Sequence, residues 1–172
     1  MKTLNRPHLY LFVILLLTLT TSAMAIPQES VTIIAKAELS QFVPSGFYFQ
    51  GKSGGTQMRN AAAVRFGSNR YVIAALVDTA GYASEVREKY QGFLITDSSV
   101  RIGGFELPTG AYGFGFSNDG KFTVLDLSGK EVFTQQAAQD KDLNRPAPLM
   151  MTKSGAGVRL YAGRSYVAIA AN

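Results

Sequence analysis

The chain has 172 residues, with 17 Lys and Arg against 12 Asp and Glu, one His and no Cys. Its net charge of +5 and pI near 9.5 come from basic residues scattered singly, a pattern of solvated surface rather than of a nucleic-acid partner. Lack of Cys excludes thiol nucleophiles, thiolate metal sites and disulfides, and the lone His8 lies close to the N-terminus, so imidazole catalysis and His metal sites are excluded once that region is removed.

Removal is expected. Lys2 and Arg6 precede an apolar run over residues 9–17, and small residues end at Ala23, Met24 and Ala25. That order is the charged, apolar and small-residue sequence of a secretory leader, with cleavage after Ala25. The run falls short of the roughly 20 apolar residues a membrane helix needs. A mature chain of residues 26–172 follows, 147 residues with net charge +3. That length suits one domain with a real core, in a periplasmic or secreted protein expected to be free of the membrane.

Residues 26–30 read as a tail. Residues 31–39 mix β-branched residues with Ala, Lys and Glu, so strand and short helix are both open, strand preferred. Phe47, Tyr48 and Phe49 follow a Pro-Ser-Gly turn as a short aromatic strand. Residues 51–56, GKSGGT, read as a flexible connection. Gly51-Lys52-Ser53 is no phosphate cradle, because Phe47 stands where the earlier glycine would be.

Residues 57–66 alternate as a strand with one wetter face, Gly67-Ser68-Asn69 turns, and residues 70–78 run RYVIAALVD with apolar residues on both faces. That second run predicts a central strand covered on two sides. Tyr82, Val86 and Tyr90 then recur every four residues among Glu85, Arg87, Glu88 and Lys89. This spacing predicts a short helix capping one end of the sheet, with an extended edge segment as the alternative, its charges forming a solvated face.

Strands are expected at 92–96, 100–102, 105–107, 111–117, 122–127 and 131–134. Tyr112, Phe114 and Phe116 share one face, with Ala111, Gly113 and Gly115 on the other. Glycines there suit a sharply curved strand. Residues 135–148, with Asp140, Lys141, Asp142, Arg145 and two prolines, read as a long surface loop. Runs at 149–152, 158–162 and 165–171 complete about eight to ten strands, with the short helix between them. The expected fold is all-β, a small antiparallel barrel of mostly sequential hairpins, or a sandwich.

The stretch VRIGGFELPTGAYGFGFSNDGKFTV resembles a hairpin of uncharacterised exported bacterial β proteins, a domain-of-unknown-function group, through Ile102, Gly103, Gly104, Leu107, Pro108, Gly110 and Tyr112. The resemblance covers about 25 residues, made mostly of turn chemistry. It implies an exported β domain and carries over no catalytic residue.

Candidate chemistry is sparse. Asp78, Glu106 and Asp126 could pair as acid and base only if the fold brought them together. Lys52-Ser53 and Lys153-Ser154 are adjacent on turns, poor geometry for a Ser-Lys couple. Asn118-Asp119-Gly120 offers too few oxygens for calcium. No catalytic residue, metal site or cofactor is therefore assigned. Phe47, Phe49, Tyr112, Phe114, Phe116 and Phe122 are expected in the core.

The leading functional expectation is a non-enzymatic domain that binds a small hydrophobic or amphipathic ligand or an envelope protein. Its candidate ligand-binding residues are Tyr48, Arg59, Asn60, Arg65, Tyr112, Phe114 and Phe116. The alternatives are an interaction module using a strand edge or the 135–148 loop, and a small outer-membrane barrel. The last is disfavoured by short strands and the lack of Trp.

Overall fold

A computed structural model describes residues 30–172; the leader expected at 1–25 lies outside the described residues. Strands take 58% of the described residues and helix 8%, so the protein is all-β, in two antiparallel sheets. The strands are β1 (Val31–Ile33), β2 (Gly46–Phe49), β3 (Lys52–Phe66), β4 (Arg70–Val77), β5 (Gly92–Thr96), β6 (Val100–Ile102) and β7 (Phe105–Leu107). They continue with β8 (Gly110–Phe116), β9 (Lys121–Leu125), β10 (Glu131–Gln136), β11 (Ala138–Gln139), β12 (Ala147–Ser154), β13 (Gly157–Gly163) and β14 (Ser165–Ala171). One helix, α1 (Ser84–Lys89), and a 3-10 turn at Lys36–Gln41 complete the described elements.

The larger sheet runs β1-β3-β4-β5-β8-β9-β10, with β2 paired to the start of β3. The smaller runs β12-β13-β14-β6-β7, with β11 also on β14. Alternation along the strands of the larger sheet feeds two cores, as a strand's period of two requires. Ala62, Val64, Val72, Ala74, Leu94, Phe114, Phe122 and Val124 face a core shared with Ile102, Leu149, Leu160, Val167 and Ile169 of the smaller sheet. Ala61, Ala63, Ala75, Val77, Phe93 and Leu125 face the other way, into a second core.

The second core is closed by a thin cap of Leu39 in the 3-10 turn and Val43 just after it, Phe47 and Phe49 of β2, and Tyr82 and Tyr90 flanking α1. Phe47 stacks on Phe93 with ring centroids 4.6 Å apart, and Phe49 on Tyr90 at 3.8 Å. The double-sided apolar pattern of residues 70–78 has its cause here: β4 is covered on both faces.

Several expectations are corrected. Residues 31–39 hold both options, a three-residue strand and then the 3-10 turn. GKSGGT is no flexible connection, because most of it is the start of β3, paired with β2. Gly54 is needed there for closeness, since a Cβ would lie 2.7 Å from the Asp78 carbonyl oxygen. The helix lies across the outer face of β8 rather than at an end of the sheet: Cβ atoms at Gly113 and Gly115 would meet the Phe49 ring at 2.7 Å and the Lys89 carbonyl oxygen at 2.4 Å. These glycines make room for the cap.

The 135–148 loop is shorter than expected, with β10 reaching Gln136 and β11 pairing Ala138 and Gln139 with β14. Sequential pairing also breaks at the middle of the chain. The β6-β7 hairpin leaves for the smaller sheet and joins β14, while β5 pairs directly with β8. The 100–122 stretch is thus divided between the sheets.

Replacing Phe114, fully buried, with Ala should cost about 3–5 kcal/mol through lost burial and a cavity. Phe105 is 43% exposed and stacked on Phe133; its replacement with Ala should cost only about 1 kcal/mol. Urea unfolding midpoints of the two variants, at unchanged slope, check the contrast.

Candidate functional site

The cap stops short of the sheet's far edge. It covers β3, β4, β5 and β8, while the outer face of β9 and β10 carries Lys121 and Thr123 beside Thr134 and Gln136 in cross-strand register. Thr123 and Thr134 join their hydroxyls at 2.8 Å, a cross-strand pair suited to a half-wet sheet face. Beside this floor stands α1, and the step between them forms a cleft of about 980 Å³.

The cleft is lined by Ser84, Arg87, Glu88 and Lys89 of α1, by Gln91, and by Ser117 to Asp119 of the β8-β9 turn, with Lys121, Thr123, Glu131 and Thr134 below. Three cationic and three anionic side chains face it. Gln91 holds wall and floor in register: its side chain donates to the Phe116 carbonyl at 2.8 Å and accepts from the Phe116 amide at 3.0 Å. One amide group thereby replaces a strand partner where β5 has not yet begun.

The β8-β9 turn is built around Asp119. Its carboxylate accepts from the Lys121 ammonium at 2.6 Å and from the Ser117 hydroxyl. The ammonium, and then the hydroxyl, hold the Asp119 carboxyl below the usual carboxylate range, and Asp119 in turn raises Lys121. Both groups are exposed, so the effect on stability is small and screened by salt. The pair fixes one cation and one anion at the mouth of the cleft.

Behind the wall, Tyr82 and Tyr90 anchor the segment that carries α1. The Tyr82 hydroxyl lies 3.0 Å from the Phe49 carbonyl and 3.1 Å from that of Lys52, to which it donates. The buried Tyr90 hydroxyl has no hydrogen-bond partner among the described residues; burial, then the neighbouring Tyr82, raises its pKa.

The residues singled out from sequence are dispersed. Phe114 and Phe116 lie in the shared core among Phe122 and Phe133, and Tyr112, half-buried, packs at its border and donates its hydroxyl to the Pro108 carbonyl at 3.0 Å. Tyr48 stands 62% exposed on β2. Arg59 and Asn60 sit on a bulge, where Thr56 pairs with Val77 and Ala61 with Ala75, so that β3 takes five steps to two of β4. Asn60 there donates to the Gln57 side chain at 2.9 Å. Arg65, partly buried, shares the opposite sheet face with Ala61 and Ala63. The structure brings together the three aromatics of β8 and none of the polar residues with them.

The candidate carboxylates are also apart. Asp78 accepts from the Ala80 amide, Glu106 from Ser99, and Asp126 from the backbone and hydroxyl of Ser128 and the amide of Lys130. In the 140–146 loop, Asp140 accepts from Tyr161 at 2.8 Å with Arg159 at 3.7 Å, and an open depression is lined by Asp142, Arg145 and Met150. Among the described residues no three His, Cys, Asp or Glu side chains gather as metal ligands, and no helix is long and apolar enough to cross a membrane.

Gln91, Lys121, Thr123, Glu131 and Thr134 had no motif to announce them; an alternating strand with Thr on its wetter face was the sole signal. Comparison with models of known protein families, with curated proteins and with solved structures returned no match.

Asp119 stabilises the fold above the ordinary carboxylate range and loses that contribution as pH falls through its lowered value. Lys121 does so below the ordinary lysine range and loses it as pH rises through its raised value. Acid unfolding of Asp119→Asn should therefore depend less steeply on pH than that of the native chain, with near-neutral stability little changed. Carboxyl-carbon NMR titration of Asp119 provides the independent check.

Proposed function

We propose that the protein is an exported, non-enzymatic binding domain whose working surface is the cleft between α1 and the β9-β10 face. The observation that carries this reading is the contrast between a ring-filled interior and a mixed-charge concavity outside it. Phe114, Phe116, Phe122 and Phe133 fill the space in which a small apolar ligand would otherwise sit. The cleft instead offers fixed charges of both signs and paired hydroxyls, features that suit a polar or charged segment of an envelope partner.

The non-enzymatic part rests on the same residues. Ser117 and Lys121 are both committed to Asp119, and a lysine kept in its ammonium form is no general base.

The test is NMR mapping on the isotopically labelled protein, with charged tripeptides of both signs and, separately, a hydrophobic dye. The tripeptides should shift the amides of Lys121, Thr123 and Thr134, and Lys121→Glu should weaken the better one about tenfold, the loss of one charge-assisted hydrogen bond. Saturable dye binding that shifts Phe114 and Phe116 while the cleft stays silent would return the protein to the apolar-ligand reading.

The two sheets are best read as a flattened barrel. Two features support closure: the chain passes directly from β10 of the larger sheet into β11 of the smaller, and β12 lies along β3 and β1 at the opposite seam. Closure removes edges that would otherwise template aggregation. Amide exchange along β12 distinguishes the forms, since a barrel protects successive amides while an open sandwich edge leaves alternate ones fast.

A further inference from the structure

The wall of the cleft is weakly anchored. None of the six residues of α1 is buried, and only Val86 is partly so. No side chain caps its N-terminus, and a helix of this length has no stability of its own in water. It is held at its ends, by Tyr82 and Tyr90, both sunk into the second core. At its ends the Val86 and Arg87 amides donate to the Ala83 carbonyl at 3.1 Å, and the Tyr90 amide to the Val86 carbonyl at 2.8 Å.

What lies beneath it matters equally. Gly115 leaves the sheet bare under the helix end, so α1 rests there on backbone rather than on interlocking side chains, while Gly113 lies under the Phe49 and Tyr90 rings. Little apolar surface becomes wet if residues 83–89 unwind while both tyrosines stay seated. Ser84, Arg87, Glu88 and Lys89 would then leave the cleft together.

We propose that α1 is a movable wall: residues 83–89 open and close locally about the fixed Tyr82 and Tyr90 anchors, and the cleft exists in full only when the helix is formed. This regulation rests on reading the cleft as the binding surface. An occupant that contacts α1 must then order it, and its apparent affinity carries that cost.

Native-state hydrogen exchange on the full protein tests it without any ligand. The amides of Val86, Arg87 and Tyr90 should exchange at least about 100-fold faster than those of β4 and β5, at a rate nearly independent of low denaturant, the mark of local opening. Gly115→Ala, which drives a methyl at the Lys89 carbonyl, should speed exchange in α1 by a further factor of about ten while β4 and β5 stay protected. Should that variant fail to fold, Val86→Ala, which trims the helix's one partly buried side chain, should do the same. Exchange of α1 amides in step with β5, with the same denaturant dependence, overturns the movable wall and leaves the cleft reading standing. Local opening together with silent tripeptide titrations overturns the cleft reading alone.

Discussion

Both faces of the larger sheet have to be kept from water, and most of the architecture follows from how unequally that is done. One face is buried by a second sheet of comparable extent, through large side chains such as Phe114, Leu94, Leu160 and Ile169. The other is buried by a cap only one layer of chain thick, drawn from three separate segments. A thin cover can lie close only where the sheet is low, and around Phe93 the outer face carries the small residues Ala61, Ala63, Ala75, Gly113 and Gly115. The rings come down from the cap: Phe47, Phe49, Tyr82 and Tyr90 supply the volume that the sheet omits. Small residues below and aromatics above form one interface divided between two layers, which is why a methyl added to either glycine meets ring or backbone at once.

Where the cap ends, the sheet must become polar. Leu125 is the last apolar residue on the outer face of β9, and Thr123 and Lys121 follow it outward. The cleft is the geometric remainder of that change, a step from a covered region to an uncovered one. Its polarity is thus set by the fold's need for a solvated border before any ligand is considered. The aligned Thr123-Thr134 pair and the clamp from Gln91 to Phe116 make that border rigid, which solvation alone would not require.

Much of the fold was legible because alternation reports burial directly. The two-sided apolar run at 70–78, the split faces of Tyr112, Phe114 and Phe116 against Gly113 and Gly115, and the Tyr82-Val86-Tyr90 spacing all match elements of the structure. What alternation does not encode is partnership. Nothing in VRI or FEL says that β6 and β7 join β14 instead of β5, since three-residue strands present the same faces to either neighbour. GKSGGT misled for a related reason. Glycine signals both flexibility and close approach, and only the Asp78 carbonyl opposite Gly54 separates the two. The candidate residues Arg59 and Asn60 were placed by counting alternate positions along β3, a count the bulge at 57–60 invalidates, while Tyr48 belongs to the cap's outer surface.

The cleft was illegible for a deeper reason: its residues come from three separate stretches of chain, each unremarkable in isolation. The charges of α1 look like an ordinary solvated face, and they are one, with Arg87, Glu88 and Lys89 all exposed. Solvation and a role in binding are compatible here, because a wall beside an open floor must be wet on the side that faces it. A helix with a broad apolar stripe would have been pulled down over β9 and β10, closing the step and burying Thr123 and Thr134 beneath it. The few apolar residues of this segment are placed at its ends instead, so it is tied to the second core without being drawn across the sheet. The same economy that leaves α1 weakly held keeps the cleft open, and the two properties have one cause in the spacing of Tyr82, Val86 and Tyr90.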